Sequence, residues 1–175
     1  MFVSTGMCRV WNQCRKKRGV VKAVLVCVLM AAEPRWCGNY RGLKNKSPEA
    51  VRNGMQNMEI HVEDKASYTV KAAKTAEELR TGLMNVRNLS DNAGMLFDLR
   101  QYPGASMWMK NTYIPLDMLF IGCDWKVVDI YENAKPLSLR RIGSSKPFCY
   151  VLEINGGNVS AAGIATGDGV MPDRP

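Results

Sequence analysis

Apolar and polar residues alternate from Met58: Met58, Ile60 and Val62 are apolar, and Glu59, His61 and Glu63 are polar. A period of two predicts a half-buried strand, with His61 facing water. Asp64-Lys65 makes a turn, after which Tyr68, Val70 and Ala72 alternate again. Thr75 with Glu78 three residues on is a capping box and predicts a short helix carrying Leu79 and Leu83 on one face. Asn88 to Gly94 reads as loop, and Gly94-Met95-Leu96-Phe97 starts a strand. Tyr102-Pro103-Gly104 is a turn, and Met107 to Thr112 reads as a strand. Ile114-Pro115 is a kink before the nearly all-apolar strand Leu116 to Ile121. Gly122-Cys123-Asp124-Trp125 turns the chain into a strand over Lys126 to Tyr131, Asn133 to Lys146 is loop, and Cys149 to Ile154 is a further strand. Asn158 to Ala162 gives one helical turn among glycines read as tight turns, and Gly167-Asp168-Gly169-Val170 closes the unit. Strands at intervals of about ten residues predict a mainly β fold. It is expected to be a compact β-sandwich or barrel-like, jelly-roll-like domain with one or two short helices.

The first 57 residues follow different rules. Arg15, Lys16, Lys17 and Arg18 precede an apolar run from Ala23 to Ala32 that ends at Glu33-Pro34. A cationic cluster, a short apolar core and small residues make the plan of a secretory signal, with an uncleaved N-terminal anchor as the alternative. The run falls short of the roughly 20 apolar residues of an ordinary membrane-spanning helix. Residues 33–57 are polar, basic and without period, and read as a flexible basic linker. The expected organisation is a signal peptide or anchor over 1–32, the linker, a domain over 58–170 and a tail over 171–175. An exported protein is expected, periplasmic or tethered to the membrane and facing outward.

The net charge of +8 changes meaning once it is located. Residues 1–57 hold eleven Lys/Arg and two acids, whereas residues 58–175 hold thirteen and fourteen. A nucleic-acid-binding domain keeps its basic stripe on the folded part, so no nucleic-acid partner is expected.

Cys8, Cys14 and Cys27 fall in the leader; Cys37, Cys123 and Cys149 follow it, with no C-x-x-C among them. A Cys123–Cys149 disulfide is open in an oxidising compartment; two buried thiols are the plainer reading. His61 is the sole histidine, so no histidine cluster can form. No metal and no cofactor are expected.

The motifs Gly82-Leu83-Met84, Gly94-Met95-Leu96-Phe97, Trp108-Met109-Lys110-Asn111-Thr112, Pro115-Leu116-Asp117, Val151-Leu152-Glu153, and Gly163-Ile164 with Gly167-Asp168 occur in this order. Their order and spacing resemble the prokaryotic family known as domain of unknown function 192, over about residues 66–170. The resemblance implies a compact, mostly β domain, often behind a signal peptide, and no particular activity. Two positions depart from the family pattern. Gly122 and Trp125 stand where an Asp and a Gly are usual, and a Trp suits a positive-φ turn poorly. Val86 stands where an Arg is usual, with Arg87 one step later.

The candidate chemistry lies in the Trp-Met-Lys-Asn-Thr region and two acids. Asp117 and Glu153 sit inside apolar strands, where a carboxylate is expensive to bury unless paired and hydrogen-bonded. Lys110, Arg80, Asn111 or Thr112 are the expected partners of Asp117. The ligand-pocket candidates are Arg80, Trp108, Lys110, Asn111, Thr112, Asp117 and Glu153, set against a purely structural hydrogen-bond network. The expected function is binding of a small polar ligand or a protein partner in the extracytoplasmic space. The alternative is a hydrolase using Asp117 and Glu153 as acid and base. A lesser alternative is copper binding through Met84, Met95, Met107, Met109, Met118 and Trp108, with core packing as the ordinary role of such methionines.

Overall fold

The computed structural model describes residues 46–173. Seven strands and three short helices follow one another as α1 (Pro48–Asn53), β1 (Gln56–Val62), β2 (Ala66–Ala73), α2 (Ala76–Thr81), β3 (Ala93–Asp98), β4 (Leu116–Ile121), β5 (Val127–Ala134), β6 (Tyr150–Asn155), α3 (Asn158–Ala162) and β7 (Val170–Pro172). The strands form one sheet in the order β5-β4-β6-β3-β2-β1-β7. Only β2 and β3 run parallel, across α2; every other pair is antiparallel. The mainly β class read from the pattern is therefore realised as one curled mixed sheet, a half-barrel.

Each face of the sheet carries its own apolar cluster. On one face Met95, Phe97, Met118, Phe120 and Val151 pack with Leu83, Leu99, Met107, Met109 and Ile142. On the other, Leu96, Leu119, Ile121, Leu152 and Ile154 pack with Ile60, Val62, Val70, Val127 and Val159. A strand covered on both sides has no reason to alternate, which is why Leu116–Ile121 is apolar nearly throughout and buried at every position. Asp117 is the polar exception in that strand.

Four boundaries or elements differ from the sequence expectation. The stretch read as flexible linker to residue 57 contains α1, capped by the Ser47 side chain on the Ala50 amide, with Val51 and Met55 buried in the first cluster. The domain thus starts before Met58. The tail read from residue 171 likewise contains the end of β7, paired with β1 through His61 and Met171. Residues 107–112 do not form a strand. They are a loop joined to the rest by a Met107–Ile142 bridge and by the Met109 amide donating to the Ser138 carbonyl at 3.0 Å. Their apparent alternation reflects Met107 and Met109 entering the core, and Asn111, at φ 56°, turns the chain out of any ladder. Finally, Cys123 and Cys149 are joined in a disulfide, not left as thiols; it ties the β4–β5 turn to the start of β6.

Among the described residues no helix is long and apolar enough to cross a membrane. The expected signal or anchor over 1–32 lies outside the described residues.

Candidate functional site

The two buried carboxylates occupy neighbouring strands but opposite faces. In the β4–β6 register Asp117 stands opposite Ile154, and Met118 stands opposite Glu153. Ile154 belongs to the second cluster and Met118 to the first. Successive side chains on a strand point to opposite faces, so the sheet lies between the Asp117 and Glu153 carboxyls. They cannot act on one substrate as an acid–base pair, which removes the hydrolase arrangement built on these two residues.

Asp117 is fully buried, and among the described residues no cation pairs with it. Its Oδ1 accepts the Asn133 amide at 2.8 Å, and its Oδ2 accepts the amides of Gly157 and Val159, each at 2.9 Å. The expected pairing with Lys110 or Arg80 is therefore replaced by three backbone donors. Gly157 and Val159 open α3, whose first amides have no partner within the helix, and a carboxylate satisfies them. Asp117 thereby ties β4, β5 and α3 together. Burial, and then the Asp117 charge, push the Tyr68 hydroxyl above its usual range.

Glu153 has the opposite environment. It is 4% exposed, and burial, with no hydrogen bond or counter-charge among the described residues to offset it, pushes its carboxyl up to about 8. At neutral pH it is mainly the uncharged acid. It borders a cavity of about 20 Å³ together with Arg80, Met84, Phe97, Trp108, Lys110 and Thr112. The same wall, through Leu79, Arg80, Phe97, Met107 and Trp108, continues into an open cleft of about 430 Å³ between α2 and the 99–108 loop, where Arg141 joins it.

Five of the seven pocket candidates, Arg80, Trp108, Lys110, Thr112 and Glu153, thus meet around one cavity. Asn111 and Asp117 do not. Asn111 is exposed at its turn, and its carbonyl accepts the Asn85 amide at 2.7 Å. Trp108 is half-buried, with the Lys110 Nζ 5.1 Å and the Arg141 Cζ 5.4 Å from its ring centroid, within cation–π range. The Arg141 guanidinium donates to the Ser106 hydroxyl at 3.0 Å. Among the described residues, no carboxylate pairs with Arg80, Lys110 or Arg141. Arg141 was missed in the sequence because it lies in a segment without period, and only the Met107–Ile142 bridge brings it to Trp108.

Other singled-out residues find ordinary places. Met95, Met107, Met109 and Met118 fill the first apolar cluster, as core methionines do. Arg87, beside the position where the family arginine is usual, lies over the Tyr113 ring at 4.5 Å. Trp125 is half-buried at its turn and stacks on Tyr150, with centroids 4.2 Å apart. His61 does not join another histidine, but its ring lies with Glu59 and Asp173 so that one ligand atom from each falls within 4.8 Å of the others, at the exposed β1–β7 edge.

Residues 46–171 match the family DUF192, described as an uncharacterized ACR family. A crystal structure of a proposed transcription regulator from Sinorhizobium meliloti 1021 is 38% identical, with a TM-score of 0.63 and coverage of 67% of this chain and 95% of that one. A crystal structure of a protein of unknown function from Novosphingobium aromaticivorans DSM 12444 is 36% identical, with a TM-score of 0.61 and coverage of 67% and 84%. No curated protein matches the chain.

Proposed function

We propose, from the premise that the chain belongs to the DUF192 family, that its domain is an exported binding module. It holds a small polar ligand bearing an anionic group in the cleft between α2 and the 99–108 loop. The observation that carries this reading is the lining of that cleft. Leu79, Phe97, Leu99 and Met107 give it an apolar floor, while Arg80, Arg141 and, on the adjoining cavity, Lys110 bring cations to it without a carboxylate partner among the described residues. Small-molecule sites combine such a floor with a few convergent polar groups. On the adjoining cavity the uncharged Glu153 adds a hydrogen-bond donor that does not repel an anion.

The Cys123–Cys149 disulfide and the signal-like leader support an extracytoplasmic location. The regulator role proposed for the Sinorhizobium relative is less well supported for this chain, because the acids slightly outnumber Lys and Arg over residues 58–175. N-terminal sequencing of the protein from an extracytoplasmic fraction tests export; recovery with residues 1–32 intact in the cytoplasm contradicts it.

Thermal unfolding of the full chain against inorganic phosphate and a series of small mono- and dicarboxylates tests the cleft. At least one anion is expected to raise the midpoint, and the rise is expected to vanish in Arg141→Ala and in Trp108→Ala. No stabilising anion, or stabilisation that survives both substitutions, overturns the reading.

A further inference from the structure

A second concave site lies away from Glu153, beside the β4–β5 turn. Trp125 occupies a turn position with φ 61°, a left-handed conformation that a bulky side chain rarely takes. Such strain persists only where the surroundings enforce it, and it concentrates at functional sites. Here the surroundings are identifiable. The Cys123–Cys149 disulfide anchors the turn two residues before Trp125, to the residue that precedes Tyr150. Tyr150 then receives the indole in a near-parallel stack, with 18° between the rings.

This pair borders a groove of about 330 Å³. Its apolar lining comes from Met58, Ala72 and Leu96. Along it Asp98 and Arg100 make a two-pronged pair, Nε to Oδ1 at 2.9 Å and the terminal nitrogen to Oδ2 at 2.6 Å. The Arg100 guanidinium also lies 5.5 Å from the Tyr150 ring centroid. Gln56, Asn57 and Lys74 add amide and ammonium groups, and Glu59 and Asp173 add carboxylates.

We infer that this groove binds a neutral saccharide, with the half-buried Trp125 indole, backed by the buried Tyr150 ring, as its sugar-binding platform. The chemistry selects that class in three ways. A pyranose presents an apolar C–H face that lies flat on an indole, and hydroxyl edges that donate to planar carboxylates and accept from guanidinium and amide groups. The groove charges are of both signs and nearly balanced, which disfavours a ligand with strong net charge. The clamped indole is held, and the Asp98–Arg100 hydrogen bonds are already made, before binding, which lowers the side-chain freedom lost when the sugar arrives.

The test is calorimetric titration of the full chain with neutral hexasaccharides of β-1,4-glucose, β-1,4-N-acetylglucosamine and α-1,4-glucose. At least one is expected to bind at millimolar concentration or below. Trp125→Gly places the residue best suited to a positive φ in the turn while removing the platform, and binding is expected to weaken at least tenfold. Trp125→Phe keeps a ring and is expected to stay within threefold of the unaltered chain. Circular dichroism and thermal unfolding confirm that both variants fold. Trp108→Ala, in the anion cleft, is expected to leave saccharide affinity unchanged, so failure of one site is distinguishable from failure of the other. No binding by any hexasaccharide, or equal binding by folded Trp125→Gly, overturns the inference.

Discussion

Asp117 and Glu153 look alike in sequence: each is one acid inside an apolar strand of the same sheet. Their surroundings differ in one respect that decides everything else. The face bearing Asp117 offers three backbone amides, so the charge is satisfied where it stands and fastens two strands to a helix. Among the described residues the face bearing Glu153 offers none, so the group keeps its proton at neutral pH and borders a cavity. A buried acid is therefore evidence of structure or of a site according to the donors around it, and its burial alone does not distinguish the two.

The contrast is most exposed to contradiction at Asp117. Asp117→Asn replaces one accepting oxygen by a donor facing backbone N–H groups, and is expected to cost about 3 kcal/mol of stability, the range for breaking a buried charged hydrogen-bond network. Urea unfolding measures it, and an unchanged midpoint would make Asp117 a pocket residue after all.

Glu153→Gln is the counterpart, with a smaller effect at pH 4. Because the carboxyl is mainly uncharged there in the folded and the unfolded chain alike, the amide is nearly isosteric, and stability is expected to stay within about 1 kcal/mol. The sign of its pH dependence sharpens the comparison. The folded pKa of about 8 exceeds the ordinary 4.5, so between these values the folded state holds a proton that the unfolded state has lost. The Glu153 contribution is fully present below about pH 4.5 and is lost as pH rises through about 8, by at most about 1.4 kcal/mol per pH unit. Glu153→Gln is thus expected to become the more stable protein as pH rises above about 4.5, by the widest margin at pH 9. Chemical denaturation of both proteins from pH 4 to 9 checks this, and parallel profiles would show that burial does not raise the Glu153 carboxyl.

The smallest effect is expected at the mouth of the cleft. Arg80 is exposed, and Arg80→Ala is expected to shift stability by no more than about 0.5 kcal/mol, the usual limit for a surface change. The same substitution is expected to weaken stabilisation by an anion. A large loss of stability in the absence of anion would assign the arginine to the fold instead.

The buried strand β4 and the capping-box helix α2 were legible because each satisfies a local rule: uninterrupted apolar residues, and Thr75 with Glu78. Helix α1 was not, since it contributes only Val51 and, just beyond it, Met55 to the core, too few positions to set a period. Residues 107–112 misled because Met107 and Met109 are buried by a loop that happens to share a strand's alternation. The separation of Asp117 from Glu153 depends on the register between β4 and β6, and a one-residue slip would have put them on the same face. Nothing in either segment alone specifies that register. Nor could spacing join Arg141 to Trp108, or Cys123 to Cys149; both are consequences of how the sheet curls and how its loops cross.

The place of β6 between β4 and β3 has a consequence for how the chain reaches its native state. Strands β4 and β5 are neighbours in sequence and can pair as a hairpin at once, whereas β6 begins only at Tyr150. Until it inserts, Leu116–Ile121 presents an unpaired backbone edge flanked by apolar side chains on both faces, a ready template for another molecule's strand. The search for the correct partner is also slow, because strands distant in sequence must meet before their pairing repays the loop closure. The segment that forms the centre of the finished core is therefore the most adhesive part of the unfinished one, and self-association during refolding should grow with protein concentration.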